Sequence, residues 1–169
     1  MSLDQDKYFK LRPPLPTPPE EICSCLGSPP IKLMYALGEN PIHCMNCNLE
    51  VDPAALDLPI ELVEETAYWR SIYGAIDALW LASDEYEEWA RIQLSDISNP
   101  LNRQGREIQA KLNSISRCYY WYFQDQSADD YEPLEACPSC GARLKLYTAG
   151  IFEQRICDVC SIVVPGSFK

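Results

Sequence analysis

The chain has 169 residues, enough for one domain with a real core or for two small ones, and its apolar and charged fractions of 47% and 23% are those of a folding sequence. A net charge of −11 argues against attraction of the whole surface to nucleic acid or anionic membrane, and suits a soluble protein or one that meets basic partners. The start carries no apolar signal-like region, and the longest apolar stretch, residues 75–82, is interrupted by Asp77 and far too short to span a bilayer, so a cytoplasmic protein without membrane attachment is expected. In a reducing compartment nine cysteines read as metal ligands before disulfides.

Residues 1–22 form a Pro-rich leader, expected to be extended polyproline II. PxxP spacings run from Pro13 to Pro16 and from Pro16 to Pro19, but a stiff spacer is the default reading. Residues 23–56 hold Cys23-Ser-Cys25 and Cys44-Met-Asn-Cys47. The second pair is an ordinary CxxC; the first is one residue tighter, which constrains how both thiols reach one ion. His43, the single histidine of the chain, is read as a surface imidazole beside the knuckle, with replacement of a weak ligand as the sharper alternative.

Residues 57–116 change to a period of 3.6, the mark of helices. Pro59 is placed at the first position of a helix whose inward stripe is Trp69, Ile72, Ile76 and Leu79, with Leu62 a turn or two earlier. Asp84 and Glu87 have capping-box spacing ahead of a second helix with Tyr86, Trp89 and Ile92 on its apolar face. Asn99-Pro100 opens a third, with Leu101, Ile108, Leu112 and Ile115 inward. These aromatics are most simply core, and no cofactor pattern is found among them. Charge is uneven here: residues 50–98 carry twelve acids against Arg70 and Arg91, a net of −10.

Residues 117–169 begin with "RCYYWYFQ" (117–124), rich in strand formers. A strand packed on both faces is the favoured reading, with exposed rings stacking on bases as the alternative. Cys118 reads as a buried thiol. Then Cys137-Pro-Ser-Cys140-Gly141 and Cys157-Asp-Val-Cys160, sixteen residues apart, form two knuckles that point four thiolates at one ion. Gly141 supplies the positive φ that such a turn needs. The intervening residues read as strands, with a third strand in "SIVVP". All four thiolates being used makes the site closed and structural. Iron in a rubredoxin-like site satisfies the same four-sulphur geometry.

An internal repeat explains the N-terminal pairs. Residues 31–51 align with residues 144–164 without a gap: Lys32-Leu33 falls on Lys145-Leu146, and Cys44 and Cys47 fall on Cys157 and Cys160. The N-terminal segment is therefore read as a second ribbon with Cys23, Cys25, Cys44 and Cys47 as ligands, giving two zinc ions per chain. The expected fold is α+β: two zinc ribbons, packed edge to edge in one pseudo-symmetric sheet, flanking about three helices.

The CPxCG form and the matching CxxC of residues 44–47 resemble bacterial double-CxxCG or zinc-ribbon-containing proteins of unknown function. Some of these carry a nucleic-acid-binding label; some similar small proteins are thought to be immunity proteins that neutralise a toxin from the same operon. Cys23-Ser-Cys25 and Ser161, at a position usually held by glycine, depart from that pattern. No P-loop, GxGxxG or HExxH is present. The expectation is a non-enzymatic zinc protein that acts as a protein-interaction module, an inhibitor or immunity protein being the narrower form, with a basic protein or a toxin as partner. The alternative is a nucleic-acid-binding ribbon using Arg143, Lys145 and Arg155.

Overall fold

The computed structural model describes residues 6–12, 15, 17–127 and 129–167. Strands β1 (Ile31–Leu33) and β2 (Ile42–Cys44) come first, then helices α1 (Ile60–Ala82), α2 (Glu87–Ser95) and α3 (Pro100–Asn113), then β3 (Cys118–Trp121), β4 (Lys145–Tyr147), β5 (Gln154–Cys157) and β6 (Ile162–Pro165). The strands form one six-stranded sheet in the order β2-β1-β3-β6-β5-β4, so the chain is α+β.

The repeat is visible in the hydrogen-bond register. Lys32 pairs with His43 across β1–β2, and Lys145 with Ile156 across β4–β5, the same pairing under the gapless alignment. Expectation and structure part at the junction. The ribbons do not meet edge to edge: β3 lies between them, parallel to both β1 and β6. Its neighbours are not repeat equivalents, because the counterpart of β1 is β4, which lies at the sheet edge. The N-terminal counterpart of β6 shrinks to a bridge from Glu50 to His43, held by Cys44 N–H to Leu49 O and Val51 N–H to Ile42 O, both 2.9 Å.

Alternation along the strands gives the sheet two faces. Ile31, Leu33, Ile42, Cys118 and Tyr120 join the core with Leu62, Val63, Trp69 and Tyr73 of α1 and Leu101, Ile108 and Leu112 of α3. Tyr119, Ile156 and Val163 form a separate cluster on the other face with Met45, bordered by Trp121 and Tyr147. Trp69 is central: its ring meets Tyr73 and Tyr120 edge-on at 5.3 and 6.2 Å, and its Nε1–H donates to Leu101 O at 3.1 Å. Gly105 lets α3 approach, because a Cβ there would stand 2.5 Å from Tyr120 Cε2 and 2.8 Å from Trp69 Nε1. Asn102 satisfies buried groups on both sides, accepting from Tyr120 O–H at 2.7 Å and donating to Leu94 O and Asp96 O at 3.0 and 2.8 Å.

Asn99 caps α3 through Leu101 N–H at 3.1 Å, with Pro100 in the first turn. Other helix expectations are corrected. Pro59 is the N-cap of α1 rather than its first helical residue. On α1 Leu62 and Trp69 are buried and Ile76 packs against the core as expected, but Thr66 and Tyr73 complete the buried stripe and Ile72 is 38% exposed. Helix α2 buries Ala90 and Leu94 and leaves Tyr86, Trp89 and Ile92 exposed; Ile115 is exposed as well. No capping box forms, since Asp84 adopts φ +50° and Tyr86 is the uncapped N-cap.

The leader is more than a spacer. Tyr8 and Leu11 are buried in the main core around a 3-10 turn at Phe9–Leu11. Lys7 pairs with Asp57 at 2.9 Å, Arg12 with Asp52 at 2.9 Å, and Lys10 with Glu64, so the leader neutralises part of the acidic segment. The PxxP spacings built on Pro13 and Pro16 lie outside the described residues.

Candidate metal centres

Two groups of four thiols converge. The sulphurs of Cys23, Cys25, Cys44 and Cys47 all lie within 4.8 Å of one another, and so do those of Cys137, Cys140, Cys157 and Cys160. The tighter CxC pair therefore reaches the same point as its partner CxxC. All eight are free thiols. Cys140 and Cys157 have sulphurs 3.7 Å apart, beyond any disulfide. Tetrahedral zinc with Zn–S bonds of about 2.3 Å sets its sulphurs about 3.8 Å apart, so the donor set and this spacing fit a metal ion.

The knuckles are built by local backbone. Asn46 N–H donates to Cys44 Sγ at 3.3 Å and Cys160 N–H to Cys157 Sγ at 3.4 Å. Left-handed residues follow the cysteines: Gly141 at φ +71°, Ser161 at +51°, Asn48 at +63° and Gly27 at +79°. Gly141 does what its sequence position predicts. Ser161 takes a left-handed φ at the position where glycine is usual, and Asn48, its repeat equivalent, does the same.

Before a metal enters, the thiols differ widely. Burial pushes Cys23 up to about 12, whereas the Ala142 amide and the neighbouring thiols bring exposed Cys140 down to about 7. Metal entry must displace these protons, so affinity falls as pH falls.

His43 is buried, not the surface imidazole of the sequence reading. Its Nδ1 lies 3.1 Å from Asn48 O, and its Nε2 has no hydrogen-bond partner among the described residues. It belongs to neither group of four.

Cys118 is the ninth cysteine, buried at the start of β3, where burial raises its thiol from 9.0 to about 12. Between those values the folded protein keeps a proton that the unfolded chain has lost. Stability therefore declines as pH rises from 9 toward 12, by about 1.4 kcal/mol per pH unit from this group. Urea denaturation at pH 8.5 and 10.5 should show this loss in the wild type and a smaller loss in Cys118→Ala. The buried tyrosines Tyr73 and Tyr120, also raised by burial, keep the residual slope. An unchanged slope in the variant contradicts the assignment.

The three basic residues proposed for nucleic acid do not form one patch. Lys145 pairs with Ile156, while Arg155 pairs with Leu146, so they point to opposite faces. Lys145 contacts Asp158 at 3.3 Å, Arg155 donates to Leu134 O at 3.1 Å, and Arg143 is exposed beside Ala136. The aromatic strand lies inside the sheet, with Tyr119 and Tyr120 buried, so these rings present no stacking platform.

Sequence reasoning missed the polar ties between the ribbons. Asn46, inside the first CxxC, accepts from Tyr147 O–H at 2.6 Å and, through its carbonyl, from Ile151 N–H at 2.8 Å. Gln154 Nε2 donates to Met45 O at 3.1 Å and its Oε1 accepts from Lys32 Nζ at 2.8 Å. The recurrence of Lys32 at Lys145 was the one available signal, and the two lysines have opposite environments. No helix of the described residues is long and apolar enough to cross a membrane. Comparison with protein families, curated proteins and solved structures found no match.

Proposed function

We propose that this chain is a non-enzymatic zinc protein whose two four-cysteine centres staple a sheet, and that the sheet carries an acidic helical hairpin for docking a protein partner. The convergence of eight thiols into two groups of four is the observation that carries the metal reading. Zinc suits closed all-thiolate sites, and with every thiolate used no coordination position is left open for catalysis.

The docking reading draws on the turn between α1 and α2. Leu81, Tyr86 and Trp89 are 58%, 53% and 49% exposed there. Asp77, Asp84, Glu85 and Glu87 surround them in sequence, and none forms an ion pair among the described residues. Aromatic anchors amid uncompensated acids suit a basic protein surface. An inhibitor or immunity protein that masks a basic toxin is the narrower form of this proposal. No observation favours the nucleic-acid alternative.

A photo-crosslinker placed at residue 89 in the native host tests it. A protein adduct is expected, weakened at raised salt. Reversing Asp84, Glu85 and Glu87 to Lys should reduce its yield at least ten-fold. Adducts only with nucleic acid, or a yield unaffected by charge reversal, contradict the docking surface.

A further inference from the structure

Lys32 sits in the middle of β1 with 1% of its surface exposed. It stands between His43 on β2 and Tyr119 on β3. Its ammonium donates to Gln154 Oε1 at 2.8 Å and lies 4.7 Å from the centre of the Trp121 ring. No carboxylate pairs with it among the described residues. Glu153 lines the same cleft, of about 300 Å³, and its carboxylate accepts Ser167 N–H at 3.0 Å. A buried lysine without a counter-charge is costly.

A hydrogen-bonded path leads from Lys32 to the knuckle of the N-terminal thiol group. The amide of Gln154 that accepts from Lys32 also donates to Met45 O, within the Cys44–Cys47 knuckle. Burial lowers Lys32 to about 8, and the charges that oppose this are the thiolates of Cys44 and Cys47. Four thiolates around a divalent ion leave a centre that is still doubly negative. At the repeat-equivalent position Lys145 is 73% exposed and contacts Asp158 instead, so it does not fill this role at the C-terminal centre.

We propose that Lys32 is the buried counter-charge of the N-terminal four-cysteine centre, held against its knuckle by Gln154. This rests on the zinc reading of that centre. It makes Lys32 a positioning residue: it binds no metal itself, and neutralises charge on the buried, Cys44 side of a centre whose Cys25 faces solvent. Gln154 opens β5, so the residue that holds Lys32 in place comes from the second ribbon.

Titration of the zinc-loaded protein with a chromophoric chelator, with released cysteines alkylated and mapped, provides the test. In Lys32→Met, Cys23, Cys25, Cys44 and Cys47 should be released at about 10- to 100-fold lower chelator strength than in the wild type. Cys137, Cys140, Cys157 and Cys160 should be released as before. Lys32→Arg should restore most of the affinity, and Lys145→Met should change neither centre. A merely structural lysine predicts instead that all eight cysteines are released earlier in Lys32→Met, not the N-terminal four alone. Equal release from wild type and Lys32→Met overturns this inference alone. Wild-type protein that takes up no zinc overturns the metal reading and this inference with it.

Discussion

Replacing Cys157 by Ser, or stripping the metal with a strong chelator, is expected to abolish the cooperative folded state rather than weaken it. Cys157 is buried at the end of β5, paired with Ile162 of β6. The small cluster around it, Cys137, Leu144, Ile162 and Val164, buries little apolar surface for a unit of three short strands. Structural zinc supplies about 10–16 kcal/mol of apparent binding energy in small zinc domains, as much as the whole stability of an ordinary domain. Loss does not stay local, because β6 pairs with β3 and β3 carries the helical core. Far-ultraviolet circular dichroism during a thermal scan checks this. The wild type should melt in one transition that chelator removes, and Cys157→Ser should show no native transition. A variant that melts with the wild type contradicts the structural role of the site.

Trp69→Ala is expected to destabilise the metal-loaded protein by about 3–5 kcal/mol. The ring is buried and touches Tyr73 and Tyr120, its N–H occupies the Leu101 carbonyl, and it lies against Gly105 of α3. Truncation opens a cavity at this crossing and leaves the carbonyl without its donor. Urea denaturation with zinc present should show a lower midpoint at an unchanged slope. Zinc content should stay at the wild-type value, since Trp69 belongs to neither thiol group. A loss below about 1 kcal/mol contradicts its place at the centre of the core.

What the sequence makes legible is local. Cysteine spacing marks both thiol groups, and a gapless repeat carries the hairpin register from Lys145↔Ile156 to Lys32↔His43. The Asn99 cap is equally local, a side chain closing on an amide two residues ahead. Helix faces are harder. Helix α1 has apolar residues on more than one side, with Tyr68 and Ile72 competing against Trp69 and Tyr73 for the core. Periodicity fixes the spacing of a stripe but not which of two stripes is buried. In α2 the choice falls to Ala90 and Leu94, which leaves the larger Tyr86, Trp89 and Ile92 outside. Least legible is the insertion of β3 between the ribbons, because its parallel pairings join segments some 40 to 90 residues apart and no local pattern encodes them. The burial of Lys32 follows from that insertion, as β3 turns an edge strand into an interior one.

Metal content with sulphur coordination tests the central claim most directly. Protein purified from cells grown without added metal, measured by elemental analysis and zinc-edge X-ray absorption, should hold about two zinc ions per chain, each with four sulphur neighbours at about 2.3 Å. A ratio near one leaves the N-terminal centre empty. A ratio near zero, or nitrogen and oxygen in the first shell, contradicts the account.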